Sequence, residues 1–170
     1  MSALDQMYQQ VILDHAKFPH GRGLPEGTEG ATAVAVAPHP GCGVSHQVNP
    51  TCGDEITLRV DVSRSGGSTV VTDVRWDGQG CSISQASASV LHDLVVGQDL
   101  ATVDRMSSTF HDLMSSRGAG LDDEDAEELL GDAIAFTGSS KFPARIKCAL
   151  LGWAALSDAL ILSGAREARP

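Results

Sequence analysis

The sequence predicts an α+β domain, a three-stranded antiparallel sheet with helices packed on one face. Three observations carry this. Hydrophobic spacing is helical at the start of the chain, switches to a period of two at Glu55, and returns to helical spacing after Cys81. Two alternating runs are joined by a Gly-Gly turn, which is a hairpin signal. A set of helices then follows, the last opening at Pro143, and strands followed by helices point to segregated layers.

The elements follow in order. Leu4, Met7, Val11 and Ile12, with Tyr8 and His15 beside them, recur at helical spacing, so 3–17 is an amphipathic helix whose apolar positions, Leu4, Met7, Tyr8 and Val11 among them, face the core. It ends before Pro19, and HGRGLPEGTEG is loop by composition. Val34 and Val36 mark a short strand over 31–37. PHPGCGVSHQVNPTCGD is a second loop, dense in Pro, Gly, His and Cys. Ile56, Leu58, Val60 and Val62 alternate with Thr57, Arg59 and Asp61 in a half-buried strand over 55–62. After the turn SRSGGS, Val70, Thr72, Val74 and Trp76 carry the return strand. The helix 82–96 follows, then weaker helical segments at 99–116 and 122–136, and a final helix over 143–162.

The chain has 170 residues, 42% apolar and 20% charged, which suits a single domain over 1–170. Its formal net charge is −10, the wrong sign for a nucleic-acid binder. No apolar run is long enough to span a bilayer, and the start lacks the basic and apolar regions of a signal peptide, so a cytoplasmic protein is expected. The window 99–132 holds ten acids and two arginines, and is expected to be an acidic helical insertion. Its centre, LDDEDAEELL, is either a solvated helix with acids favoured in its first turn or a docking face for a basic partner.

Four cysteines, Cys42, Cys52, Cys81 and Cys148, stand out, none of them in a C-x-x-C pair. In a reducing compartment such cysteines are metal ligands, reactive thiols or core residues rather than disulfides. The hairpin makes two of them converge. Cys52 lies just before the first strand and Cys81 just after the second, so Cys52, Asp54 and Cys81 leave the sheet at one edge. Cys148, in the second turn of the last helix, can reach the same edge. Three thiolates and one carboxylate make a plausible tetrahedral zinc shell, and the carboxylate makes a mixed shell that exchanges a ligand more readily than an all-Cys/His one. Cys81 also opens a helix behind Gly78 and Gly80, where N–H groups favour a thiolate.

NPTCGD (49–54), GQGCSISQASAS (78–89) and KFPARIKC (141–148) resemble the three cysteine motifs of the U-type iron–sulfur assembly proteins, and DHAKFPHGRG (14–23) resembles that family's N-terminal region. The IscU-type scaffolds of the family carry a His just before the third cysteine, within a proline-valine stretch. Here Lys147 stands there, and 66 residues separate the second and third cysteines, a longer interval than in the scaffolds. Both departures resemble the SufU branch. That resemblance implies a zinc ion on Cys52, Asp54, Cys81 and Cys148, with Cys52 also the sulfur acceptor, in a U-type fold. It implies a sulfurtransferase acting as co-substrate of a SufS-like cysteine desulfurase, a PLP enzyme whose histidine takes over at zinc. It further implies delivery of the sulfur to the downstream SUF scaffold complex. Two other readings stay open: an IscU-type cluster scaffold on the same ligands, and a non-catalytic zinc domain that binds a protein partner.

Cys42, in PGCGVSH, lies outside the family pattern and is read as a loop residue, a further thiol near the site or a secondary acceptor. His39 and His46 flank it and invite a metal reading, though a Gly/Pro loop with two histidines is commonly no more than a loop. Arg145, one turn before Cys148, could steady a thiolate or stand exposed. Ser82, Ser84, Ser87 and Ser89 have no placed base and are read as small residues permitting close helix packing. Tyr8 is also considered as a docking contact for the desulfurase.

Overall fold

The computed structural model describes residues 2–25 and 40–166. Its elements are α1 (Ala3–Lys17), β1 (Cys42–Asn49), β2 (Asp54–Ser65), β3 (Ser68–Gln79), α2 (Ser82–Val95), α3 (Leu100–Ser115), α4 (Glu124–Leu130), a 3₁₀ segment (Gly131–Lys141) and α5 (Pro143–Leu162). The strands form one antiparallel sheet in the order β1-β2-β3. Gly66 and Gly67 both have positive φ, so the β2–β3 hairpin turns in the two residues that glycine tolerates best.

One face of the sheet carries Ile56, Leu58, Val60, Val74 and Trp76, all buried. Helices α2 and α5 cover that face. The packing is close because the contacting side chains are small: the position of a Gly152 Cβ lies 3.6 Å from Ala88. Ser87 Oγ donates to the Ala149 carbonyl at 2.6 Å, so at least one serine of α2 bonds across the helix interface as well as being small. Beyond α5, Phe110 stacks on Trp153 at 5.1 Å and meets Phe136 edge-on at 5.9 Å, joining α3 and the 3₁₀ segment to the core.

Four expectations change. The expected strand over 31–37 lies outside the described residues, whereas 42–49, read as loop, is the strand β1. The inward positions of β1 are small or polar, so the apolar alternation that marks a strand is absent there. A Cβ at Gly43 would run into the backbone of Ala159 on α5, and Ser45 Oγ donates to Asp158 of the same helix at 2.8 Å. Cys42 is accordingly no loop residue but a fully buried strand residue opposite Asp61. The helix expected over 122–136 stops at Leu130, where Gly131 has positive φ and the chain tightens to 3₁₀. In α1, Leu4 and Met7 face solvent and Tyr8 and Val11 are half-buried. The helix instead turns His15, Ile12 and Ala16 inward, against α2 and the 3₁₀ segment.

Candidate metal centre

The hairpin register puts Glu55 opposite Gln79 and Ile56 opposite Gly78, which brings the start of β2 beside the end of β3. Cys52 sits in the β1–β2 turn, where Gly53 adopts positive φ and donates its N–H to the Asn49 carbonyl at 2.8 Å. Asp54 opens β2. Cys81 is the N-terminal cap residue of α2, and Cys148 lies in the second turn of α5.

Cys52, Asp54 and Cys148 come together with one ligand atom each, all within 4.8 Å of one another. The Sγ atoms of Cys52 and Cys148 are 3.7 Å apart. Two sulfurs bound at ~2.3 Å on neighbouring vertices of a tetrahedron would be about 3.8 Å apart, so this spacing fits a shared metal ion. Cys81 adjoins the group through Asp54: its N–H donates to Oδ1 at 3.2 Å, and its Sγ lies 3.5 Å from Oδ2. Cys81 thus stands outside the three-residue group, in contact with its carboxylate, and two thiols and one carboxylate at these separations suit a borderline-soft cation.

The donors are unequal in access. Asp54 and Cys148 are buried, whereas Cys52 and Cys81 are exposed. Burial tends to raise the Asp54 pKa, but hydrogen bonds from Cys148, Cys52 and the Cys81 N–H outweigh it, and the carboxyl titrates below its ordinary value. Burial, then hydrogen bonding to Asp54, Cys81 and Cys52, pushes the Cys148 thiol upward. Without a cation the Asp54 carboxylate therefore stands against a Cys148 thiol that holds its proton, and a bound cation displaces that proton.

Two glycines allow the approach. A Cβ at Gly78 would strike the Glu55 carbonyl, and one at Gly80 would sit 2.9 Å from the Asp54 carboxyl carbon and collide with Ser84 Oγ. Arg22, which the sequence reading had not singled out, clamps the same strap. Its Nε donates to Asp77 at 3.2 Å, and its terminal nitrogens reach Gln85 Oε1 at 3.0 Å and the Gly78 carbonyl at 3.1 Å. The guanidinium also lies over the Trp76 ring. Composition and periodicity carry no signal for this contact, because loop and strap are more than fifty residues apart.

Other candidates lie elsewhere. Cys42 pairs with Asp61, about seven strand residues and thus roughly 23 Å from the Asp54 end of β2. Burial, then the charge of Asp61, raises its thiol pKa to about 11, so it is neither near the site nor a ready acceptor. His46 is half-buried on β1 and bonded to Thr57 Oγ1 at 2.8 Å, and His39 is outside the described residues. Arg145 lays its guanidinium over the Phe142 ring at 4.7 Å. A groove of about 720 Å³ opens beside Cys81, lined among others by Tyr8, Leu13, Ile83, Phe142 and Arg145. No helix among the described residues is long and apolar enough to cross a membrane.

Residues 7–149 match the family model for the NifU-like N-terminal domain. The chain is 40% identical over 153 residues to the zinc-dependent sulfurtransferase SufU of Bacillus subtilis, covering 90% of this chain and 88% of that protein. It is 33% identical over 160 residues to the iron–sulfur cluster assembly scaffold protein IscU of Streptococcus pyogenes, covering 94% and 86%. Among solved structures it superposes on a protein of Fervidobacterium islandicum AW-1, assigned as an iron–sulfur cluster assembly scaffold for the SUF system. That match has TM-score 0.68 and 28% identity, over 91% of this chain and 97% of the other. A NifU-like N-terminal domain from Brucella abortus shares the fold, with TM-score 0.68 at 21% identity over 97% and 99% of the two chains.

Proposed function

This chain belongs to the family of NifU-like N-terminal domains, and from that premise we propose that it is a zinc-dependent sulfur carrier for iron–sulfur cluster assembly. It takes sulfur from the persulfide of a cysteine desulfurase and passes it on. The observation that carries this reading is the exposed thiol of Cys52, on a turn, set 3.7 Å from the buried Cys148 sulfur, with the buried Asp54 carboxylate beside both. The name of the B. subtilis relative supports zinc, the grouping of Cys52, Asp54 and Cys148 supports three of its donors, and the contact of Cys81 with Asp54 makes Cys81 the fourth in this reading.

Zinc held there keeps the thiols deprotonated at neutral pH and, being redox-inert, does not oxidise a persulfide. The remaining chemistry belongs to the protein. Cys52, on a turn and open to solvent, attacks the outer sulfur of the donor R–S–SH as the thiolate. A new S–S bond forms at Cys52 while the donor S–S bond breaks, and its electron pair leaves with the donor as RS⁻. Cys52 then carries the S–SH group. Asp54, Cys81 and Cys148 stay in place on β2, α2 and α5, so that only the turn residue has to change partners. The groove beside Cys81 offers room for the desulfurase segment that presents the persulfide.

Incubation with desulfurase and free cysteine, followed by peptide mass spectrometry, tests the acceptor. One additional sulfur should be found on Cys52 and none on Cys42. Sulfur on Cys42, or none anywhere, would contradict the assignment. A cluster scaffold on the same ligands is the second reading, favoured by the name of the S. pyogenes relative. It predicts a stable iron–sulfur chromophore on this chain when iron is supplied, and sulfur uptake that depends on iron.

A further inference from the structure

We propose that His15, His20 and Asp93 form a second metal site, distinct from the thiol cluster, for a divalent late transition ion such as Zn²⁺, Co²⁺ or Ni²⁺. One ligand atom from each of the three lies within 4.8 Å of the others. His15 comes from the last turn of α1, His20 from the loop beyond it and Asp93 from the last turn of α2. Asp93 lies twelve residues beyond Cys81, roughly 18 Å along the helix, so the two clusters share no ligand.

The site has a rigid side and an adaptable side. His15 is 8% exposed, and its Nδ1 lies 2.7 Å from Ser89 Oγ, a fully buried hydroxyl. The His20 backbone N–H donates to the same oxygen at 2.7 Å, so Ser89 fixes both the His15 ring and the start of the loop carrying His20. A hydroxyl oxygen accepts two hydrogen bonds. Ser89 can therefore take Nδ1–H of His15 as well as the His20 N–H, leaving His15 Nε2 as a lone-pair donor. A ligating histidine is held by this kind of supporting contact. Nε2 also lies 3.4 Å from Asp132 Oδ2, a carboxylate outside the three-residue group.

The adaptable side is His20 and Asp93, both about half exposed, with Nδ1 and Oδ2 2.6 Å apart and the His20 ring 4.9 Å from that of His15. Nitrogen and oxygen donors at ~2.0–2.1 Å on a tetrahedron are about 3.4 Å apart, so closure asks only for a small rotation of two exposed side chains. Two imidazoles with a carboxylate favour zinc-like ions over calcium or magnesium, which prefer all-oxygen shells. The bound ion would tie α1 to α2 on the side of α2 away from its N-terminal cysteine.

Anaerobic titration of the full-length chain with Co²⁺ separates the two sites, because thiolate ligands give intense charge-transfer absorption and nitrogen–oxygen ligands only weak d–d bands. Equilibrium dialysis should find two equivalents bound. His20→Ala and Asp93→Ala should each lose the second equivalent and its weak bands while keeping the thiolate absorption unchanged. One equivalent in the unmodified chain, or a second one that survives in both variants, would overturn the proposal.

Discussion

Asp54 concentrates the argument at the scale of single residues. It is buried, it accepts from the Cys81 N–H, and it stands among three thiols. Asp54→Ala removes a donor and leaves that N–H without its partner, so zinc affinity should fall by more than the roughly 10–100-fold that loss of a supporting contact costs. Competition against a chromophoric chelator measures this, and unchanged affinity would take Asp54 out of the shell. Arg22→Ala should weaken zinc binding by about tenfold while leaving Cys52 as exposed as before, because it acts through the strap rather than on the ion. The meeting of Cys52, Asp54 and Cys81 was legible in the sequence, since a hairpin with known ends fixes which residues share an edge. The approach of Cys148 could only be allowed, because helical spacing does not say where a helix packs. The contacts of Arg22 with Asp77 and of His20 with Asp93 were not legible, as they join segments 55 and 73 residues apart.

Among the elements, β1 shows where periodicity fails. A strand is recognised by an apolar inner face, and here that face is Gly43, Ser45, Gln47 and Asn49, because α5 passes too close for larger groups. Gly43→Ala should therefore destabilise far more than a solvent-exposed glycine would, by about 1–3 kcal/mol through overpacking. Chemical denaturation of the variant checks this, and a neutral result would mean that α5 sits farther off. The helix starts were easier to read, since capping is local. Asp99 caps α3 through the Thr102 N–H at 2.7 Å, and the hydrogen bonds from Thr102 hold its carboxyl below the ordinary value. A depressed carboxyl stabilises the fold above its unfolded pKa and ceases to do so as pH falls through the folded one. Asp99→Ala should lower Tm at neutral pH, with a deficit that shrinks in acid below about pH 4. A deficit independent of pH would show that the charge plays no part.

For the molecule as a whole, the order helix, strands, helices was enough to read the layered architecture, and the acidic window stood out by composition alone. Several of its acids have structural tasks: Asp99 and Asp123 cap helices, Asp104 pairs with Arg166, and Asp132 faces His15. The exposed remainder, Asp112, Asp122, Glu124, Asp125 and Glu128, we read as a solvated face. Their joint replacement by Asn and Gln should leave desulfurase affinity unchanged, and a loss of affinity with a flatter salt dependence would make the face a docking surface. The central claim is that Cys52 accepts sulfur. Its most direct test is alanine production by the cognate cysteine desulfurase, with and without the zinc-loaded protein and with iron rigorously absent. The account predicts a saturable stimulation that disappears with Cys52→Ser. Absence of stimulation by the unmodified protein, or full stimulation by Cys52→Ser, would contradict it.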